Sequence, residues 1–159
     1  MDYKKIIKNK STRLKILHLF DWVPDKVMIK IQYRIKLGRK LNLKSPQRFT
    51  EKLQWYKLYY HDPVMRQCVD KYEVKKWVAE KIGDEYVIPT YGIYDTFDEI
   101  DFDRLPDSFV MKCTHDSGSV ILCEDKSSLD ISAARKKINR CLKRNLYYAG
   151  REWAYKDVK

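Results

Sequence analysis

The sequence contains no uninterrupted apolar run of about 18 residues, the length a membrane-spanning helix needs. Its N-terminus, M-D-Y-K-K-I-I-K-N-K, also lacks the apolar stretch of a secretory signal. A cytoplasmic location is therefore expected. Cys68, Cys113, Cys123 and Cys141 show no C-x-x-C spacing, and the three histidines are not clustered, which argues against a zinc site. Cys113 and Cys123 could face each other across a hairpin, but in a reducing compartment they read as small apolar side chains. Internal repeats and low-complexity segments are absent. Acidic residues are scarce in one region only: residues 1 to 60 hold 4 Asp/Glu against 16 Lys/Arg.

What is present describes a folded chain. At 159 residues with 44% hydrophobic content it is one ordinary domain, or one and a half small ones, with enough apolar material for a core. The first sixty residues carry a net +12 and the remainder −1. A basic, amphipathic lead of this kind suits an anionic membrane surface, nucleic acid or an acidic polymer. A solvated lysine face on ordinary helices accounts for any single one of these lysines equally well.

In chain order, Ile6, Ile7, Leu14, Leu17 and Phe20 fit one or two basic helices over 3–20, broken at Asp21-Trp22-Val23-Pro24. Residues 25–37 are ambiguous. Ile29, Ile31, Tyr33, Ile35 and Leu37 alternate with polar residues as in a strand, whereas Pro24 before and Gly38 after suit a helix, which is the reading adopted. Ser45-Pro46 reads as a cap opening a helix through Leu58, and Asp62-Pro63 as a second cap, followed by helical periodicity to Gly83 with a break near Asp70-Lys71. Trp55, Tyr56, Tyr59 and Tyr60 are expected at the core and its rim rather than as a base-stacking platform. Tyr86–Pro89 and Gly92–Tyr94 read as short strands, Asp95–Leu105 as an acidic connector, and Ser127-Ser128 as the cap of a helix over 129–146.

The chain centres on P-D-S-F-V-M-K-C-T-H-D-S-G-S-V-I-L-C-E-D, residues 106–125. Strands at Phe109–Cys113 and Val120–Cys123 are expected on either side of a polar loop, Thr114 to Ser119. The loop is longer than a two-residue hairpin turn and rich in hydroxyls. Backbone N–H groups around Gly118, the hydroxyls of Ser117 and Ser119, and Lys112 just before the loop are the chemistry of a phosphate cover. An ordinary surface hairpin satisfies the same pattern.

Several stretches together carry a resemblance. Asp70-Lys71 at a helix start, I-P-T-Y-G, and strand-borne Lys112 before T-H-D-S-G-S are similar to the first half of the ATP-grasp fold. The runs L-N-L-K-S-P-Q-R-F-T-E-K-L-Q-W-Y-K-L-Y, D-K-Y-E-V-K-K-W-V-A-E-K-I-G, L-P-D-S-F-V-M-K-C-T-H-D-S-G-S and G-R-E-W resemble the TupA-like ATP-grasp family of bacterial surface-polysaccharide and teichuronopeptide biosynthesis, over about residues 24–159. The resemblance implies an α+β chain with a basic helical lead (1–60) and the first, nucleotide-flap part of an ATP-grasp-like fold (61–159), whose flap hairpin is 109–123. It implies that Lys71 and Lys112 reach ATP phosphates and that Thr114, His115, Ser117, Gly118 and Ser119 belong to the closing flap. The family loop reads closer to N-H-G-S-G-G, so Asp116 and Ser119 depart from it. Asp116 stands out, because a carboxylate beside a triphosphate repels it unless it turns outward or meets Mg2+.

The implied chemistry is ATP-dependent amide formation. A carboxylate takes the terminal phosphate, and an amine then displaces phosphate from the acyl phosphate. An amino acid or an acidic glycan is the expected substrate, nucleic acid is not expected as a partner, and residues 1–40 suit peripheral association with the inner membrane surface. The Mg2+ ligands, the adenine-hinge glutamate and the C-terminal lobe of the fold are expected outside these residues, so weak or no ligase activity is expected of 1–159 alone. Two other classes remain open. A glycosyltransferase-type role in the same pathway would use Asp101-Phe102-Asp103 as its metal-binding Asp-x-Asp, and a non-enzymatic basic module would rest on the N-terminal charge.

Overall fold

A computed structural model describes residues 9–158, so the part of the expected basic helix before Asn9, with Ile6 and Ile7, lies outside the described residues. The described helices are α1 (Lys10–His18), α2 (Asp25–Leu37), α3 (Phe49–Tyr59), α4 (Val64–Val69), α5 (Glu73–Ile82), α6 (Ile131–Leu142) and α7 (Tyr147–Gly150). Strands β1 (Phe109–Met111) and β2 (Ile121–Cys123) form an antiparallel pair with Val110 opposite Leu122. The protein is thus α+β and rich in helix. None of the described helices is long and apolar enough to cross a membrane.

The chain forms two compact units. One runs to Arg66 and takes in Asn145–Asp157, and the other spans Gln67–Arg144. Residues 145–157 thus belong to the same unit as the basic helices.

In the first unit, α2 settles the ambiguity of residues 25–37 in favour of helix. Met28, Ile29 and Tyr33 are buried while Ile31, Ile35 and Leu37 face solvent, and Gly38 ends the helix at φ +67°, donating its N–H to Arg34 O. Ser45-Pro46 does not open α3. Asn42 Oδ1 accepts from the Lys44 and Ser45 N–H groups and holds that segment as a turn. The helix begins at Phe49, because the fully buried Glu51 carboxylate reaches back to the N–H groups of Gln47 and Arg48, each at 3.0 Å. Trp55, Tyr56, Tyr59 and Tyr60 are at the rim, all at least partly exposed.

Arg151 is the polar centre of this unit. Its backbone is left-handed at φ +53° and its guanidinium is 1% exposed. It donates to Phe20 O (2.7 Å) and Asp25 Oδ1 (3.2 Å), lies 3.6 Å from Asp21 and stacks on Tyr147, whose hydroxyl donates to Asp25. Gly150-Arg151-Glu152-Trp153 is therefore a clasp on the helices: Glu152 pairs with Lys57 and Trp153 Nε1 donates to Tyr60 O.

In the second unit Asp70, as expected, marks a break: its carboxylate accepts from Tyr72 and Glu73 N–H and starts α5. Residues 87–96 form no strand, a correction to the sequence reading. Asp84–Tyr86 is a 3₁₀ turn, Pro89 has no N–H to give a ladder, and no described strand lies alongside. The connector contributes core: Phe97 is buried and stacks in sequence with Phe102 and Phe109. Asp130, rather than Ser127 or Ser128, caps α6 by accepting from Ala133 N–H; the two serines sit in a 3₁₀ turn capped by Asp125. Ala134, Ile138 and Cys141 form the buried face of α6 and pack with Phe97 and Cys113. A pair of three-residue strands is marginal alone, so this helix face is what holds the hairpin. All four cysteines are free, and Cys123 pairs with Phe109 rather than with Cys113.

Two outcomes follow for the first unit. Arg151→Met removes the buried partner of Asp21 and Asp25 and should cost about 3 kcal/mol in urea unfolding followed by tryptophan fluorescence. The Glu51 carboxyl is held below its ordinary value of 4.5, chiefly by the Arg48 N–H. Its contribution is complete above that pH and is lost as the pH falls through the lowered value, so Glu51→Gln should flatten that part of the acid-unfolding curve.

Candidate functional site

The second unit gathers Lys71, Lys75 and Lys112 beside the loop that joins the strands. Strand β1 ends at Met111, two residues before the expected Cys113, so Lys112 lies just past the strand instead of on it. Its side chain is exposed, with no hydrogen-bond or ion-pair partner among the described residues. Lys71 sits just ahead of α5. Its Nζ donates to Thr114 O at 2.9 Å and Asp116 O at 2.6 Å, and its own N–H donates to Thr114 O. One lysine thus fastens both ends of the Thr114–Asp116 segment. Burial pushes the Lys71 ammonium below its ordinary value, Lys112 adds to that shift and Asp116 opposes it.

Lys75 was not singled out in the sequence, where it is one of two adjacent lysines on a helical pattern. It lies one helical turn after Lys71, and its Nζ donates to Ile88 O and Thr90 Oγ1, both at 2.7 Å. The I-P-T-Y-G segment is therefore held against α5 at the site. Burial lowers the Lys75 pKa, and the nearby Lys112 charge lowers it further. The Lys112 charge thus acts on both Lys71 and Lys75, a concentration of positive charge that an anion would relieve.

The loop residues divide by direction. Ser117 and Gly118 are exposed, and Gly118 has φ +100° with open space where a Cβ would project. This is the one loop position whose backbone demands glycine and whose surface lies open to a ligand. Thr114 is half-buried. Ser119 is fully buried, and its hydroxyl accepts the Cys113 N–H at 2.9 Å, closing the loop's base. His115 is 95% buried; its Nε2 lies 3.3 Å from Cys141 O, while Nδ1 is buried without a hydrogen bond. The structure therefore brings Lys71, Lys112, Ser117 and Gly118 together at the loop surface and places His115 and Ser119 beneath it.

Asp116 does not turn outward. It is 1% exposed, and its Oδ2 accepts from Arg144 Nη1 at 2.8 Å, just past the end of α6. The charge that would repel a triphosphate is neutralised from below. Arg144 was legible only as one of several cations on the helix expected over 129–146, and nothing in its spacing tied it to Asp116. Among the described residues no group of three or more His, Cys, Asp or Glu side chains could hold a metal ion. Asp101 is turned to its own backbone, accepting from Asp103 N–H and pairing with Arg104, while Phe102 packs into the core.

The buried pair has a measurable signature. Asp116→Ala leaves the Arg144 guanidinium uncompensated and should destabilise the protein by about 3 kcal/mol. The double variant with Arg144→Met should recover part of that loss, giving a coupling of about 1 kcal/mol or more in a double-mutant cycle of urea midpoints.

Comparison with curated proteins and with solved structures gives no match. A family model described as TupA-like ATPgrasp matches residues 51–159, a range that holds α5, Lys71, Lys75, Lys112 and the whole loop and begins later than the residue 24 suggested by the sequence motifs. With more than half its length matched, and with the basic cluster and glycine loop inside the matched part, the chain belongs to the TupA-like ATP-grasp family.

Proposed function

We propose that this chain supplies the phosphate-holding part of an ATP-grasp ligase-type site. The observation that carries the reading is the convergence of Lys71, Lys75 and Lys112 on a loop whose glycine is left-handed and open to solvent. These residues suit a polyphosphate. Lys112 offers a mobile point charge, Ser117 and the Gly118 backbone offer donors, and the Asp116–Arg144 pair keeps the loop's own carboxylate out of the way. Lys71 holds the loop's carbonyls inward, so it acts on a bound phosphate by shaping the loop as well as by its charge.

When bound, ATP supplies a transferable terminal phosphate. On this reading a carboxylate substrate takes that phosphate with loss of ADP, and an amine then displaces phosphate to leave an amide, in the assembly of a cell-surface polysaccharide. The chain's own contribution is to offset negative charge at the phosphates and to cover them from water. Among the described residues no group of three or more His, Cys, Asp or Glu side chains could hold a metal ion.

Titration calorimetry of the chain with ATP tests this directly. Lys112→Ala should weaken ATP binding about tenfold or more, the scale of one charge-assisted hydrogen bond, without moving the urea midpoint. Absence of ATP binding, an unchanged affinity in Lys112→Ala, or preference for a sugar nucleotide over ATP would each overturn the reading.

A further inference from the structure

The stretch from residue 9 to 48 holds eleven Lys/Arg and only two carboxylates, Asp21 and Asp25. Both lie against the buried Arg151 guanidinium. The field of this part of the first unit is therefore set by its cations.

Helix α2 arranges its solvent side in two rows. Val27, Ile31 and Ile35, four residues apart, form an apolar row and are each close to half exposed. Lys26, Lys30 and Arg34 form a basic row about 100° around the helix. The turn that brings the chain into α2 adds Leu19 and Trp22, 71% and 81% exposed. Beside the basic row lies a cleft of about 310 Å³ lined by Lys26, Lys30 and Lys44, with Leu41, Leu43 and Tyr59 forming its apolar walls.

We propose that α2 and the turn before it dock on an anionic lipid bilayer. A soluble polyanion would use the cations and leave the apolar row and Trp22 in water. A neutral apolar partner would use that row and leave the cations unanswered. A bilayer surface with anionic headgroups answers both at once: the row and Trp22 enter the boundary between headgroups and acyl chains, and the lysine-lined cleft takes a headgroup phosphate. At 13 residues α2 is about 20 Å long, too short to span the bilayer, and it lies in the plane of the interface. Residues 9–48 precede the family-matched range, so this inference does not depend on the ligase reading.

Flotation of the chain with vesicles tests it. Binding is expected to vesicles of phosphatidylcholine mixed with phosphatidylglycerol, to fall with added salt, and to be absent with phosphatidylcholine alone. Lys26→Ala and Lys30→Ala should each reduce partitioning about fivefold. Ile31→Ser, at a solvent-exposed position that leaves the core intact, should reduce it about tenfold. Brominated lipids should quench tryptophan emission in the parent and quench it less in Trp22→Phe. Failure to float with anionic vesicles at low salt overturns the proposal. So does an Ile31→Ser variant that binds as the parent does while soluble polyglutamate displaces both, which would make the surface a polyanion site.

Discussion

The pairing of Asp116 with Arg144 is the constraint on which the loop depends. The loop turns its one carboxylate inward onto a guanidinium just past the end of α6. Once Asp116 points down, the carbonyls of Thr114 and Asp116 face Lys71, and Ser119 closes the base against Cys113. The exposed surface that remains is Lys112, Ser117 and Gly118. The hairpin strands are too short to impose this shape, so it comes from two cations, one before α5 and one after α6, gripping the same few loop residues. Burial of both partners makes the pair costly to form and more costly to break, which ties loop geometry to unit stability.

Much of this architecture was legible because local chemistry and tertiary packing agree. Asp70 starts a helix wherever it stands before free N–H groups, and Gly38 stops one because only glycine takes φ +67° without strain. The loop between the strands was likewise visible. Where two capping residues compete, the sequence is silent about the winner. Ser45 and Ser127 look like caps, yet Glu51 caps α3 by accepting two N–H groups and Asp130 caps α6 by accepting that of Ala133. Tyr86–Pro89 and Gly92–Tyr94 read as short strands, but a strand needs a neighbour and none lies alongside among the described residues. Arg144 and Lys75 were hidden for another reason: each is one lysine or arginine among several in an expected helix, and only three-dimensional proximity distinguishes it.

The alternation in residues 25–37 shows how an ambiguous pattern acquires meaning. A helix can bury only part of a sequence whose apolar residues alternate, so forming α2 leaves Ile31 and Ile35 outside. The same residues that made the secondary structure hard to assign are those that make the surface amphipathic.

The chain's path has a consequence for biosynthesis. The second unit is almost wholly one stretch, Gln67–Arg144, whereas the first is interrupted and takes in Asn145–Asp157 only after that stretch. A ribosome working from the N-terminus therefore releases α1, α2 and α3 long before Arg151, the residue that neutralises Asp21 and Asp25 among them. The contact of Arg151 with Asp21 and Asp25 can therefore close only after the whole of Gln67–Arg144 has been made.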